Sequence, residues 1–524
     1  MSAEIHPLPK KIIRNTLYNT AGNWLVMGLN FLVIPFVVGK LGVQLYGGVW
    51  VIGIMVISSA ALLDFGLGVA SIKFVSEYNA KKQYDKINEL ISTGVISYSI
   101  FGLFLLAVVV LFGKSILLFI GVPPHFLDDA YFVLIVSIAI LVTVNTLSPL
   151  TTIVASLQRM DITNMVAVTT TILNICQIVV VLNSNLGIRG LIIGYFFVQL
   201  LSALWLIFWS YRLMPTLKFK YYYGSWGVFK KLWNYGYNLQ ISRFAQIIVF
   251  QVDKIFALRF FGASSAAYYE VAVKLSTLAR NIPLVLTSAL LPVASEMDAK
   301  NEVIKVRLLF ERGSKYLIII GTVLLGFIFM ESHLIIQTWM GKALGKDGIN
   351  TAAVVMKFLV VGYFMNMTTG IASTIAAGVD RTDIERNVGI ISIIVSPIMS
   401  IVFIFTVGYY GIALSTLLSL TLGAIYYMIQ FVKILENRIT LFFKMFMKPL
   451  VGLIAAVVVH VLSRHFVIQS EINSRLEGII FLGIFMIIFI TIYFTILLLI
   501  KAFDDYDKSI FVALYKKLFF RSHN

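Results

Sequence analysis

A chain of 524 residues would ordinarily divide into several soluble domains, but 59% hydrophobic and 13% charged residues, with a mean hydropathy of +0.91, exclude that class. A net charge of +17 would fit a nucleic-acid binder; in so apolar a chain it reports Lys and Arg gathered in cytoplasmic loops, with no nucleic-acid partner. The single cysteine, Cys176, can form no intramolecular disulfide.

Lys10, Lys11 and Arg14 precede an apolar run from Leu17 to Val38 that is too long for a signal-peptide core and has no small-residue cleavage site, so it reads as a first span. A bilayer core about 30 Å thick needs about 20 helical residues to cross. About fourteen such stretches follow one another: 16–38, 45–70, 91–112, 130–152, 163–183, 188–210, 237–260, 267–292, 315–332, 353–376, 388–407, 411–432, 449–466 and 478–500. The fold class expected is therefore an all-α integral membrane protein. Most Lys and Arg fall in cytoplasmic segments if both termini are cytoplasmic, which sets the orientation. Between the sixth and seventh spans, residues 211–236 are aromatic and basic. Trp226, Phe229 and Trp233 at helical spacing beside Lys230 and Lys231 predict an interfacial helix that anchors the linker in lipid.

The chain repeats itself. Tyr18-Asn19 recurs as Tyr237-Asn238, and Ser76-Glu77-x-x-Ala80-Lys81 as Ser295-Glu296-x-x-Ala299-Lys300, both 219 residues on. Arg159-x-Asp161-Ile162 recurs as Arg381-x-Asp383-Ile384 after 222 residues, and Gly187-Ile188 as Gly411-Ile412 after 224. The shared order and slowly drifting offset mark a duplication of six spans. Six is even, so the halves keep one orientation and are related by an axis along the membrane normal. The expected organisation is a six-helix lobe over 1–210, a cytoplasmic linker over 211–236, a second six-helix lobe over 237–432, and an appended pair of helices with a cytoplasmic tail over 433–524. Two such lobes around a central cleft can rock and expose a site to alternate sides.

Leu41-Gly42 to Tyr46-Gly47 (LG-x-x-x-YG), Asp64–Gly68 (DFGLG) leading into Phe74–Lys82 (FVSEYNAKK), and Leu290–Lys300 (LLPVASEMDAK) resemble the bacterial polysaccharide-biosynthesis flippases. That family belongs to a superfamily that also holds multidrug extruders and lipid II flippases. The resemblance covers nearly the whole chain. It implies translocation of undecaprenyl-pyrophosphate-linked oligosaccharide, such as an O-antigen repeat unit, across a bacterial inner membrane. It further implies membrane lipids, a polysaccharide polymerase and chain-length machinery as partners.

The seventh span carries Arg243, Asp253, Lys254 and Arg259. At 100° per residue Arg243 and Lys254 fall within about 20° of each other. In the eighth, Glu270, Lys274, Thr277 and Asn281 form a stripe with Arg280 beside it, near the bilayer midplane. A basic residue at that depth is costly and belongs in a wet cavity or beside an acid. Arg243, Lys254, Lys274, Arg280 and Asp253 are the expected cleft-lining residues. Basic residues outnumber acidic ones, which suits an anionic, hydrated sugar-pyrophosphate head. Arg259, Glu270 and Lys357 lie near span ends, within snorkelling reach of the interface. Asn19, Asn23 and Asn30 share one face of the first span and serve either to bond sugar hydroxyls or to join helices. Asn145, Asn174 and Gln177 carry the same two readings. Asp64, Arg159, Asp161, Arg381 and Asp383 are expected gates or structural clasps on the cytoplasmic side.

No Walker lysine motif, G-x-S-x-G, HExxH or clustered Cys/His set occurs, so neither an enzyme nor a metal or cofactor site is expected. The six histidines lie in termini, in loops or near span ends. H⁺ or Na⁺ exchange, the membrane potential and consumption of product all remain open as energy sources. The reading is an inner-membrane flippase of lipid-linked oligosaccharide. The alternatives are a multidrug or other small-molecule antiporter, a lipid II flippase, and a membrane polysaccharide polymerase or ligase. The short external loops argue against the last, and the basic cavity argues against a carrier of cationic drugs.

Overall fold

The apolar stretches fold as helices, described by a computed structural model over residues 10–60, 64, 67–287, 290–300, 302–379, 381, 383–434, 440–467 and 474–507. Every regular element among those residues is helical. In chain order they are α1 (Lys10–Leu41), α2 (Val43–Ser58), α3 (Leu67–Ala80), α4 (Tyr84–Phe119), α5 (Leu127–Ser156), α6 (Met160–Asn183), α7 (Gly187–Leu213), α8 (Trp226–Ile247), α9 (Asp253–Phe261) and α10 (Ala263–Leu284). Then follow α11 (Leu290–Ala299), α12 (Val303–Met330), α13 (Ser332–Met340), α14 (Gly345–Thr368), α15 (Gly370–Gly378), α16 (Asp383–Val407), α17 (Tyr410–Ile434), α18 (Thr440–Val467) and α19 (Arg475–Leu499). Among the described residues, 11 helices are long and apolar enough to cross a membrane. The three expected spans outside that set are the second, seventh and eighth. The second is broken: α2 stops at Ser58, and α3 starts afresh at Leu67 and runs ten residues past the expected end at 70. The seventh and eighth are helical but carry the charged residues named above. Leu111 and Phe119 on α4 are 74% and 77% exposed, and similar apolar surface recurs on helix after helix. Only lipid is a fitting solvent for it. The chain is a multi-pass membrane protein.

Packing divides the chain into two units. The first comprises Met1–Leu275, Met340–Val355 and Glu385–Ser419. Within it α4 lies close along α5 because Gly94, Gly102 and Gly113 face Pro149, Val142 and Tyr131; a Cβ at these glycines would come within 2.9 Å of those side chains. Leu67, Phe74, Ile87, Leu90, Tyr98, Leu150 and Leu232 form a buried core that ties α3, α4, α5 and α8. Asp64 accepts the Gly68 N–H at 2.7 Å and the Tyr98 hydroxyl at 2.5 Å, so the acid of DFGLG satisfies the first turn of α3. The segment between α7 and α8 is pinned along α4. Asn88 accepts Lys218 N–H at 2.8 Å, Ser92 accepts Lys220 N–H at 3.3 Å, and Thr93 accepts Ser225 N–H at 3.0 Å. Lys231 stands over the Phe74 ring at 4.3 Å, while Trp226, 77% exposed, stacks on Phe229 at 5.0 Å. The linker is thus held by protein on one side as well as by the aromatic face expected to meet lipid.

The second unit comprises Ser276–Trp339, Met356–Ile384 and Leu420–Asn524. Phe485, Phe489, Tyr493 and Leu497 recur every fourth residue on α19 and meet Ile319, Val323 and Phe327 of α12, with Ala456 of α18 between. The appended pair therefore docks on α12. Ser474 and Glu477 form a reciprocal capping box at the start of α19. Past its other end, Asp507 is fully buried and accepts from Lys315 and Tyr316 at 2.5 Å and from Arg312 at 3.1 Å. Burial pushes the Asp507 carboxyl up; the Lys315 and Tyr316 bonds outweigh it and hold it down at about 2. A lowered native value means a latch fully present above the ordinary carboxylate range and lost as pH falls through about 2. Asp507→Asn is expected to lower the melting temperature by a few degrees at neutral pH. The gap to the parent protein should close as the pH drops below about 4. A gap that is constant down to pH 2 would contradict the latch.

Matched hydrogen bonds accompany the repeated motifs. In the first unit Ser76 donates to the Ser156 carbonyl at 2.9 Å; in the second Ser295 donates to the Gly378 carbonyl at 3.1 Å. Lys81–Glu77 and Lys300–Glu296 pair at 2.6 and 2.5 Å. Gly42 and Gly262 both adopt positive φ, 78° and 85°, between consecutive helices, a conformation that glycine alone takes readily.

Candidate functional site

The LG-x-x-x-YG motif shapes the first unit's polar centre. Gly42 turns the chain into α2, and a five-residue π-turn, Tyr46–Trp50, follows. A Cβ on Gly47 would overlap the Ala263 carbonyl, so only glycine lets α2 touch the start of α10. Tyr46 is buried there, and its hydroxyl has no hydrogen-bond partner among the described residues.

A second π-turn, Ile248–Val252, joins α8 to α9. It delivers Asp253 and Lys254, 2% and 3% exposed, to Tyr269 and Glu270, both fully buried on α10. Two adjacent residues thus pair with two adjacent residues. Asp253 accepts from the Tyr269 hydroxyl at 2.6 Å and from Thr416 of α17, leaving Oδ1 without a partner among the described residues. Lys254 lies 2.5 Å from Glu270 and donates to Gln251 at 2.7 Å. Lys274, one turn on and half exposed, reaches the other Glu270 oxygen at 3.2 Å. A cavity of about 170 Å³ opens beside Lys254, walled by Gly47, Val51, Met55, Ile116 and Leu134.

These contacts change the reading of the charges. Glu270 does not snorkel; it is the common partner of Lys254 and Lys274. Two carboxylates and two ammoniums balance, so no surplus of positive charge lies within this cluster. A buried ion is tolerated only when paired and hydrogen-bonded, which is why Lys254 takes a carboxylate. The π-turn also shifts the helix register by about one residue. The expected stripe over this span rests on an unbroken α-helix, which the π-turn interrupts. Tyr269, Thr416 and Gln251, neutral groups with no charge to flag them, escaped the sequence reading.

Arg280, in the second unit, donates to Asn366 at 3.2 Å and stands 5.4 Å from the Tyr363 ring centre. Arg259 is exposed, as its position near a span end anticipates, and Lys357 lies over Phe329 at 5.8 Å. Asn30 is exposed on α1. The side chains of Asn19, Asn23 and Arg243 lie outside the described residues. Asn145 donates to the Leu141 carbonyl at 2.9 Å and to that of Ala60 at 3.4 Å, joining structure rather than opening to a cavity. Arg159 grips Asp161 with two nitrogens, at 3.0 and 2.8 Å, and Arg381 grips Asp383 likewise at 2.9 and 3.1 Å. The Arg159 bonds hold the Asp161 carboxyl below its ordinary range. Each clasp stands at the start of its own helix, α6 or α16, where a carboxylate also suits the helix dipole.

Among solved structures the fold is similar to the lipid II flippase MurJ in an inward closed conformation, with a TM-score of 0.73, 15% identity, and 92% of this chain and 98% of that one covered. It is similar to an inward-facing multidrug resistance MATE family transporter of the MOP superfamily, with a TM-score of 0.68, 16% identity, and coverage of 80% and 94%. A MOP superfamily transporter from Pyrococcus furiosus gives 0.60, 16% identity, and 82% and 96%. No curated protein matches the sequence. The family model described as "Polysaccharide biosynthesis protein" matches residues 12–298, more than half of the chain, and the chain belongs to that family.

Proposed function

We propose that the protein is a flippase of the bacterial inner membrane. It carries undecaprenyl-pyrophosphate-linked oligosaccharide, such as an O-antigen repeat unit, from the cytoplasmic to the outer face by rocking two six-helix lobes, 1–210 and 237–432. The observation that carries this reading is the family match over 12–298 on a chain that folds like MOP superfamily transporters. The polyprenyl tail stays in lipid while the sugar-pyrophosphate head crosses. Arg280 is the cation assigned to the pyrophosphate; Lys254 and Lys274 are both paired with Glu270. The protein itself makes and breaks no covalent bond. A lipid II flippase is the second reading, supported by the similarity to MurJ.

Purified protein in proteoliposomes, given fluorescent undecaprenyl-pyrophosphate oligosaccharide or lipid II in the inner leaflet, tests this directly. Appearance of the head at the outer surface, read by an impermeant lectin or quencher, is expected for the oligosaccharide. Movement of lipid II alone would transfer the assignment to the second reading, and movement of neither would end both. The proposed orientation has its own test. Cysteines placed at Asn79, Tyr222, Asn301 and Asn437 should resist an impermeant external reagent, and those at Pro124 and Asp347 should react. External labelling at Asn301 would break the parallel between the two halves.

A further inference from the structure

Among the histidines, His460 is fully buried, three-quarters of the way along α18. Its ring is packed edge-on by Phe327, Phe485 and Phe489, with centroids 6.2, 5.3 and 5.8 Å away. Nε2 lies 2.7 Å from Oε1 of Glu331, itself fully buried at the C-terminal end of α12. Arg464, one turn further along α18 and 42% exposed at its side chain, reaches the same oxygen at 3.3 Å. The other polar atoms of the group, His460 Nδ1, Glu331 Oε2 and Ser332 Oγ, are buried without hydrogen-bond partners among the described residues. Such atoms are rare inside proteins and costly to leave unmade.

We propose that His460 and Glu331 form a proton-binding site that ties proton uptake to the seating of α18 on α12. A carboxylate at the C-terminal end of a helix faces the negative pole of the helix dipole, so its compensation has to come from neighbouring cations. Arg464 supplies one. With His460 neutral, Glu331 and Arg464 sum to zero; a proton taken up from water on the Arg464 side raises the group to one positive charge. In the neutral ring, Nε2–H donates to Glu331 and Nδ1 is a bare acceptor among aromatic rings. The arriving proton turns Nδ1 into a donor that faces no acceptor. The ring must then turn, or the end of α12 must move, to bring up Glu331 Oε2 or Ser332 Oγ. Release of the proton to water restores the first arrangement. Towards this end of the packed elements the ionisable groups are Glu331 ending α12, His333 (exposed) on α13, Arg464 and His465 on α18, and Arg475 and Glu477 opening α19. Glu331 touches the ring, and Arg464 touches Glu331.

The binding half stands on geometry alone; the coupling half rests on the transport reading, and one experiment separates them. Full-length protein with ¹⁵N-labelled histidine in liposomes should show a ring signal, absent from His460→Gln, that passes from neutral to charged within the pH range over which the protein stays folded. In proteoliposomes, an imposed proton gradient should speed translocation severalfold in the parent protein, and that ratio should fall to one in His460→Gln. If that variant does not fold, Glu331→Gln keeps a bond to the ring without the charge and serves for both readings. A ring signal fixed in one charge state across this range overturns the site. A gradient ratio unchanged in the variants overturns the coupling. Absence of any translocation by the parent protein strikes the transport reading and leaves the ring titration to be judged on its own.

Discussion

Arg280→Ala is expected to cut export of the polysaccharide at least about tenfold while the protein still reaches the membrane at near-normal level. A guanidinium offers a planar, two-pronged contact to pyrophosphate, and Asn366 and the Tyr363 ring help to position it. Arg280→Lys keeps the charge but loses the fork, so part of the activity should return. Membrane abundance measured beside surface polysaccharide decides the matter. If Arg280 serves folding, abundance falls with export; if export persists in full, Arg280 has no part in binding.

The second large effect is expected at the Lys254–Glu270 pair. Lys254→Met leaves the fully buried Glu270 carboxylate with only the half-exposed Lys274, and breaking such a pair costs about 3–5 kcal/mol. The folded yield in mild detergent should drop sharply. Glu270→Met strands Lys254 and should do the same. The double replacement removes both charges and should recover stability to within about 1 kcal/mol of the parent, since well-packed apolar groups can match a buried ion pair. Additive losses in the double variant would show that the two residues do not act as a pair.

The fold was legible wherever the signal was a run of apolar residues, because lipid imposes one length on every crossing helix. It was less legible where polar work interrupts the run. The second span looked continuous through 70, yet the Asp64 cap on Gly68 starts a new helix there. The charged stripe on the seventh span assumed an unbroken α-helix, and the π-turn at Ile248–Val252 rotated it. Charge was visible in the sequence; pairing was not. Lys254 pairs not with its neighbour Asp253 but with Glu270, and Tyr269 with Thr416 takes the aspartate. Nothing linear connects His460 to Glu331, 129 residues earlier, so their pairing carries no sequence signal.

The matched bonds from Ser76 to Ser156 and from Ser295 to Gly378 bear on how the two halves can diverge. In each, the side chain gives the proton and the main chain receives it. Any residue carries a main-chain carbonyl, so the receiving position is free to drift, and serine in one half stands where glycine stands in the other. The giving position has no such freedom. Substitution tolerance should therefore be lopsided: narrow at 76 and 295, broad at 156 and 378. The likeness between the two sets of motifs should therefore collect at the donors.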